Sequence, residues 1–247
     1  MAVLVTRPAP DNQKTAAALH ARGYDALLSP MLRFEAVAFQ DDGTTYDGII
    51  LTSANAARAI ANHPATPRLL ELPAFTVGEH TAAAARGIGF HDVVNANGDV
   101  AALLDLMVKS AAKRKITKGA TFCYFAGADR ASDLSGELAA HGFVVVTRTV
   151  YRMTPVPDFA PDVNAAFAAG GIDAVLHYSR RSARAFLDAA RISGVEISAL
   201  ALPQCCISDA VAAVVREAGA MQVIAARTPD ENAVIDTLDR TMQPSSR

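Results

Sequence analysis

Short apolar runs alternate with amphipathic stretches along most of this chain. Residues 3–6 form an apolar run that ends at an Arg-Pro pair, which is typical of a buried strand. Asp11 is predicted to cap a helix over residues 12–22 that stops at Gly23. Because each crossover between parallel strands needs a helix-sized connection, this alternation predicts parallel sheets with helices on both faces. The same pattern predicts strands at residues 26–28, 48–51, 75–77 and around 93, and helices at residues 54–62 and 81–86.

The chain also contains a cryptic tandem repeat. Residues 46–60 (YDGIILTSANAARAI) align without gaps with residues 172–186 (IDAVLHYSRRSARAF), 126 positions later. In both copies an apolar run ends at a serine, Ser53 or Ser179, and a helical stretch follows. The repeat predicts two similar α/β domains of roughly 120 residues each. Two further pairs start at Phe75 and Cys205, 130 positions apart, and, more weakly, at residues 6–32 and 125–151.

Two segments interrupt this alternation, and both are predicted to be extended. They are residues 31–39 (MLRFEAVAF) and residues 146–156 (VTRTVYRMTPV), at equivalent places in the two repeat copies. If they pair as an antiparallel ribbon, the chain crosses between domains twice, and each domain combines parts of both copies. A simpler arrangement, with one copy in each domain, fits the sequence as well.

Composition and charge exclude several classes of protein. The net charge is −2 and the isoelectric point is near 6.3, whereas a nucleic-acid-binding protein needs a basic face. No apolar stretch reaches the ~18 residues of a membrane span, and the N-terminus lacks the pattern of a signal peptide. Three cysteines, two of them adjacent, make no disulfide framework. We therefore expect a cytoplasmic protein that binds neither nucleic acid nor membranes.

Neither a metal site nor a nucleotide site is predicted. The six histidines show no metal-ligand spacing. The GIGF segment at residues 87–90 lacks the six-residue glycine pattern of dinucleotide-binding proteins and ends a helix instead of opening one. Cys123, Cys205 and Cys206 lie in apolar strands, as small core residues do. We expect no cofactor.

Five short motifs resemble those of one known family. They are VTRP at residues 5–8, LTSANA at 51–56, VGEHTA at 77–82, the turn at 127–130 and the Val150-Tyr151 pair. In this order and spacing they make nearly the whole chain similar to uroporphyrinogen-III synthases. The resemblance implies the crossed arrangement: an α/β, HemD-like fold of two similar parallel-sheet (flavodoxin/Rossmann-like) domains joined by a two-stranded β-ribbon. It also implies an active site in the cleft between the domains.

The resemblance further implies boundaries and a reaction. The first domain would be residues 1–34 plus 156–247, the second residues 40–148, and the ribbon residues 31–39 and 149–156. The implied enzyme is a lyase that cyclises hydroxymethylbilane, a linear tetrapyrrole with eight carboxylates. It inverts the last ring, ring D, with loss of water, and gives uroporphyrinogen III without metal or organic cofactor. We expect a monomer that contacts the preceding enzyme of this tetrapyrrole pathway transiently.

A slightly acidic protein must bind such a polyanion locally, and helix starts can do so. Their first turns leave N–H donors unpaired and carry a favourable dipole, although Ser and Thr there are by themselves usually only caps. Glycines and hydroxyl side chains in these turns, with arginines beside them, form the predicted substrate-binding set. Its members are Arg7, Thr52, Ser53, Asn55, Gly78, Thr81, Gly127, Arg130, Tyr178, Ser179, Arg180, Ser182 and Ser208.

One residue is predicted to be catalytic. Tyr151 matches the family tyrosine at the ribbon end, and the resemblance makes it the donor or acid that assists departure of the substrate hydroxyl. A phenol is protonated at neutral pH, which permits this role. The chain departs from the family at Ser208 and Val211, where glycine and threonine are common, so no catalytic threonine is assigned.

Two other functions fit the same residues. The first is a non-catalytic two-domain protein that binds tetrapyrroles or small anions and has lost the chemistry. The second is a phosphosugar or nucleotide enzyme that uses the same turns, which the absence of a P-loop and of clustered Mg²⁺-binding carboxylates disfavours.

Overall fold

The computed structural model of the chain describes residues 1–114, 119–129 and 133–242, and strands alternate with helices through these residues. The strands are β1 Ala2–Val5, β2 Asp25–Leu28, β3 Leu32–Ala36, β4 Gly48–Leu51, β5 Ala74–Thr76, β6 Val93–Asn95, β7 Thr121–Gly127, β8 Val144–Pro155, β9 Ala174–His177, β10 Gln204–Cys206 and β11 Val223–Ala225. The helices are α1 Asp11–Ala21, α2 Ala54–Ile60, α3 Thr66–Leu69, α4 Glu79–Gly87, α5 Val100–Arg114, α6 Leu134–Ala140, α7 Pro161–Ala168, α8 Arg180–Ile192, α9 Glu196–Ala201, α10 Asp209–Glu217 and α11 Glu231–Met242.

The chain divides into two compact units. Unit 1 comprises Met1–Arg33 together with Thr154–Arg247, as far as the latter is described, and unit 2 comprises Phe34–Met153. Unit 1 therefore combines the start of the first repeat copy with most of the second. Of the two arrangements that the sequence left open, the strand order shows the crossed one.

The sheet of unit 1 is parallel and has the strand order β11-β10-β9-β1-β2. Its strands, taken in chain order, are arranged 2-1-3-4-5, as in flavodoxin-like folds. Alternate residues of β1, Val3 and Val5, pack in one core with Leu19 of α1 and Leu238 of α11. The period-2 alternation of a strand thus places its apolar residues against covering helices.

The sheet of unit 2 has the order β3-β8-β7-β4-β5-β6. Its five parallel strands, taken in chain order, are arranged 3-2-1-4-5, which matches the first five strands of the Rossmann order 3-2-1-4-5-6. All four residues of β4 are buried, and they pack in two directions. Ile49 and Leu51 join a core with Ile60 of α2, whereas Ile50 joins a core with Leu103 of α5. Helices therefore cover both faces, as the alternation predicted.

β3 and β8 are the two extended segments that interrupt this pattern. The N–H of Val37 donates to the carbonyl of Val150 at 2.8 Å, and the N–H of Val156 donates to that of Met31 at 3.0 Å. Partners that move in opposite directions along the two segments define an antiparallel pair. The predicted ribbon is therefore present, and β8 continues on its other side as a parallel partner of β7.

Candidate functional site

Each sheet has one point where its strand order reverses, and open α/β sheets bind ligands outside the carboxyl ends of the strands at such points. In unit 1 this point lies between β1 and β9, which are followed by Arg7 and Tyr178. In unit 2 it lies between β4 and β7, which lead to Thr52 and Gly127. Four of the predicted site residues therefore occupy the places where this fold class binds ligands.

Arg7 and Tyr178 are held together at the switch point of unit 1. The guanidinium carbon of Arg7 lies 4.7 Å from the centre of the Tyr178 ring. Arg7 Nη1 donates to Glu231 Oε2 at 2.5 Å, and the Tyr178 hydroxyl donates to Glu231 Oε1 at 2.8 Å. Asp11 is not the cap of α1 that the sequence predicts: it is the first helical residue, and its Oδ2 lies 3.4 Å from Arg7 Nη2. Two carboxylates of the protein thus engage Arg7.

Tyr178 is a neutral donor in this cluster. Burial of its ring is the main cause that raises its pKa, and the charge of Glu231 raises the pKa further. The hydroxyl therefore keeps its proton at neutral pH and can only donate to the carboxylate beside it.

The start of α8 carries three of the predicted residues. Ser179 is the N-cap, and its Oγ accepts a hydrogen bond from the Ser182 N–H at 3.0 Å. Ser182 is fully buried, and its hydroxyl lies 2.8 Å from that of Ser179. Ser182 therefore braces the turn from inside. Arg180, the first helical residue, is exposed to solvent at the start of the helix.

Ser208 is the N-cap of α10, the next helix along the same sheet edge. Its side chain makes no capping hydrogen bond, so the first N–H groups of α10 do not donate to its hydroxyl. Asp209 is the first helical residue and is exposed. A carboxylate in the first turn of a helix is stabilised by the helix dipole.

A buried polar network lies beneath the turns of unit 1. His177, the last residue of β9, is fully buried, and its Nε2 lies 2.8 Å from Oε1 of Gln204. The amide nitrogen of Gln204 donates to the carbonyls of Ala199 and Leu202, so its oxygen must accept the histidine proton. Burial lowers the pKa of His177 to about 4, and the hydrogen bond to Gln204 raises it only in part. His177 is therefore a neutral core residue directly before Tyr178.

The turn after β4 is the repeat counterpart in unit 2. Ser53 caps α2, and its Oγ accepts from the Asn55 N–H at 3.2 Å. The Thr52 hydroxyl lies 3.0 Å from the hydroxyl of Tyr124 on the neighbouring strand β7. The Asn55 amide nitrogen lies 3.5 Å from the sulfur of Met153.

The turn after β5 has a different construction. Gly78 is the N-cap of α4, in an extended conformation with φ −150° and ψ 173°, which does not demand glycine. A Cβ built at Gly78 would meet only the Gly98 carbonyl at 4.0 Å, so the absence of a side chain leaves the turn open to close approach. Thr81, one turn into α4, is 5% exposed and faces the core.

Tyr151 lies at the end of the unit 2 sheet, paired across a register shift with Gly127. A Cβ at Gly127 would sit 2.7 Å from Cζ of Tyr151 and 2.9 Å from its hydroxyl oxygen, so a larger residue there would force the ring to move. The opposite contact is Phe34, whose ring is stacked at 5.9 Å between centroids with an interplanar angle of 22°. The ring is half-buried, and its hydroxyl makes no hydrogen bond within residues 1–114, 119–129 and 133–242. Arg130, also predicted as a site residue, lies outside the described residues.

A family model described as uroporphyrinogen-III synthase HemD matches residues 13–236 of the chain. The chain belongs to the uroporphyrinogen-III synthase family. Its function and enzyme class are those of the family, a lyase of tetrapyrrole biosynthesis, as the sequence predicted. The match does not support the alternative of a non-catalytic binding protein.

Solved structures of uroporphyrinogen-III synthases show the same fold. The enzyme from Helicobacter pylori is 17% identical, with a TM-score of 0.65, and the alignment covers 98% of this chain and 99% of that one. A mutant enzyme from Thermus thermophilus is 16% identical, with a TM-score of 0.56 and the same two coverages. A search of curated protein sequences found no significant match. The predicted α/β fold of two parallel-sheet domains is confirmed.

Three side chains that shape the two sheet edges of this uroporphyrinogen-III synthase were not predicted from the sequence. Glu231 receives both donors at the switch point of unit 1, and Phe34 and Met153 border the Tyr151 side of unit 2. Glu231 stands at a helix start after a short strand, and that pattern could have signalled it. Phe34 carried no signal beyond its place in an extended run.

Two classes of feature are absent from the described part of the chain. There, no helix has the length and apolar character that crossing a bilayer requires. In the same residues, histidine, cysteine, aspartate and glutamate side chains form no group of three that could hold a metal ion.

Proposed function

We propose that this chain carries out the cyclisation of its family with Tyr151 as the group that assists loss of the substrate hydroxyl. The packing of its ring between Phe34 and Gly127 supports this role, because a fixed ring gives its hydroxyl a defined direction. Tyr151 is half-buried, and among the described residues its hydroxyl makes no hydrogen bond that a ligand would have to displace. This unoccupied, oriented donor is the observation that carries the assignment.

The proposed chemistry balances as a dehydration. The terminal hydroxyl of hydroxymethylbilane takes a proton from Tyr151 and leaves as water, and the pyrrole electrons supply the push that forms an azafulvene cation. The substituted carbon of ring D then attacks to give a spiro intermediate, which rearranges to the inverted ring. The proton released when the last pyrrole regains aromaticity restores the phenol. Orientation of the chain, more than strong acid catalysis, decides between inversion and direct closure.

We propose that the carboxylates of the substrate bind at the turns of both sheet edges. The accessible members of the predicted set can donate hydrogen bonds from hydroxyls, N–H groups or a guanidinium. In unit 2 these are Thr52, Ser53, Asn55 and Gly78, and in unit 1 they are Ser179, Arg180 and Ser208. Thr81 and Ser182 are buried, so their proposed contribution is to hold the turns in shape.

Isomer analysis of the product tests the proposed activity. Purified protein would receive freshly generated hydroxymethylbilane without metal or cofactor, beside a protein-free control. We expect uroporphyrinogen III in excess of the type I isomer that forms spontaneously. Type I alone, from folded protein, would contradict the activity. Tyr151→Phe that forms type III at the unaltered rate would contradict only the role of Tyr151.

We also propose that the protein acts in the cytoplasm as a monomer that receives hydroxymethylbilane through transient contact with the preceding enzyme. The cysteines support a reducing compartment, because all three are free thiols in the core. Light scattering at two protein concentrations should give a mass near 25.9 kDa at both. A mass that doubles with concentration would contradict the monomer.

A further inference from the structure

Glu231 occupies the switch point of unit 1 in the way that a carboxylate ligand would. One of its oxygens accepts from Arg7 Nη1 at 2.5 Å, and the other accepts from the Tyr178 hydroxyl at 2.8 Å. The two donors therefore form hydrogen bonds with both oxygens of one carboxylate. An arginine with a second donor in this geometry forms a specific receptor for a carboxylate group.

The charges at this place are already balanced by the protein. The negative charge of Glu231 compensates the positive charge of Arg7. The carboxylate of Asp11 lies 3.4 Å from Arg7 and 4.0 Å from Lys14. The side chains of Arg7, Asp11 and Glu231 are 25%, 26% and 28% exposed, so the cluster is within reach of solvent and of a ligand. An incoming carboxylate thus meets no net positive charge unless Glu231 leaves.

Glu231 can leave without undoing its helix. Asp230 receives the Ala233 N–H on its side chain at 2.9 Å and the Val234 N–H on its carbonyl at 3.2 Å, which satisfies the start of α11. Because Asp230 supplies this cap, a rotation of the Glu231 side chain breaks, among the bonds of the described residues, only those to Arg7 and Tyr178.

We propose that Arg7 and Tyr178 form a carboxylate-binding subsite, that Glu231 fills it in the free protein, and that a substrate carboxylate displaces Glu231. This inference rests on the proposed binding of substrate carboxylates in unit 1. Glu231 then determines specificity. When other carboxylates of a polycarboxylate are already bound, the remaining one is present at high effective concentration and displaces Glu231. A small free anion lacks this advantage and competes poorly with Glu231. Glu231 also keeps Arg7 in place between turnovers.

Binding of uroporphyrin III, the stable oxidised octacarboxylate form of the family's product, tests the displacement without relying on turnover. In Glu231→Gln a neutral amide holds Arg7 less strongly, so we expect the Kd for uroporphyrin III to fall about fivefold. Asp236→Asn is the matched control, since it removes one negative charge from the same helix and lies beside Arg22 instead of Arg7. We expect no change in its Kd.

A double-variant cycle decides whether the tighter binding of uroporphyrin III by Glu231→Gln depends on Arg7. In an Arg7→Gln background, Glu231→Gln should no longer tighten binding. Tyr178→Phe should weaken binding, because it removes the second donor of the subsite. The proposal is overturned if Glu231→Gln leaves the Kd unchanged and lowers only Tm, since the pair would then be a structural ion pair. It is equally overturned if Tyr178→Phe binds as tightly as the wild type, a result that stands even if Glu231→Gln fails to fold.

These outcomes remain separate from those of the proposed activity. If the wild type forms no type III isomer but the binding cycle holds, the subsite stands and the catalytic assignment fails. If type III forms but the cycle shows no coupling to Arg7, the catalytic assignment stands and the subsite fails.

Discussion

The two sheet edges are built from the same repeated turn but carry different side chains. The caps Ser53 and Ser179 have nearly the same backbone angles, φ −151° and ψ 142° against φ −155° and ψ 152°. Beneath them the repeat places Leu51 in unit 2 and His177 in unit 1, where the histidine anchors a buried polar network. The backbone geometry of the turn is common to both units, and the chemistry resides in the side chains around it.

The side chains that the two edges carry lead us to expect a division of tasks. The edge of unit 1 carries Arg7, Arg180 and Glu231, which suit the binding of carboxylates. At the switch point of unit 2, Thr52 and Gly127 are uncharged, and the fixed phenol of Tyr151 lies beside Gly127. We therefore expect substitutions in unit 1 to change mainly KM, and substitutions around Tyr151 to change mainly kcat.

The largest expected effect is on turnover in unit 2. Tyr151→Phe should lower kcat for type III formation roughly 10²–10³-fold, the usual contribution of a proton donor, with little change in Tm. Rates from product isomer analysis would measure it. Tyr24→Phe is the control, because it removes a phenol hydroxyl at the amino end of β2, bonded to Asp239, and should keep full activity. A kcat for Tyr151→Phe within twofold of the wild type would remove Tyr151 from the mechanism.

Acid should loosen unit 1 before unit 2. Burial lowers the pKa of His177 from its ordinary value of 6.5 to about 4, so the unfolded state binds more protons between these pH values. Stability present above pH 6.5 is lost as the pH falls towards 4, by up to about 3 kcal/mol.

Amide hydrogen exchange at pH 7.5 and pH 4.5 would locate this loss. We expect protection to fall more in β9 and β10 than in β4 and β5, where Leu51 replaces the histidine. His177→Leu should be less stable at pH 7.5, because Gln204 Oε1 loses its donor, and should show a smaller loss on acidification. Equal loss of protection in both units would contradict the assignment to His177.

Gly127→Ala tests how tightly Tyr151 is placed. The new Cβ would overlap the Tyr151 ring at 2.7 Å, so the ring must move, at a cost of about 1–3 kcal/mol in stability. We expect kcat to fall together with stability, and kcat and Tm would be measured on the same variant. Gly87→Ala is the matched control, since a Cβ there meets nothing within 4 Å. Gly127→Ala with unchanged Tm and kcat would show that the ring is not held as described.

The smallest expected effects separate capping from ligand binding at the two repeated serines. Ser53→Ala and Ser179→Ala should each lower stability by about 1 kcal/mol, whereas the glycine variants should lose only a few tenths. A rise in KM that is common to Ala and Gly at position 179 would reflect the lost hydroxyl and not the cap. If KM follows Tm across the four variants, the serines act as caps alone.

Much of the fold could be predicted because its signals are local. The period of apolar residues placed β4 at the residues observed, and the repeat located the serine caps of both units. The pairing of β3 with β8 could not be settled from the sequence, because it depends on contacts between segments more than a hundred residues apart. The start of α1 differs by one residue: Asp11 was predicted as its cap and is instead its first residue, where it lies beside Arg7.

The candidate site was predictable only in part. Turns that follow strands are visible in the sequence, and they supplied Thr52, Gly78, Ser179 and Ser208. Their burial and partners are not visible. Glu231 stands at a helix start that could have signalled it, but its contact with Arg7 spans 224 positions and is not visible in the sequence.

The division of tasks is tested most directly by kcat and KM for type III formation, measured side by side on Tyr151→Phe and Arg7→Gln. We expect a large fall in kcat with nearly unchanged KM for Tyr151→Phe, and a raised KM with nearly unchanged kcat for Arg7→Gln. If the two variants exchange these effects, or if both change the same parameter, the assignment of the proton donor to Tyr151 in unit 2 and of a carboxylate contact to Arg7 in unit 1 is wrong.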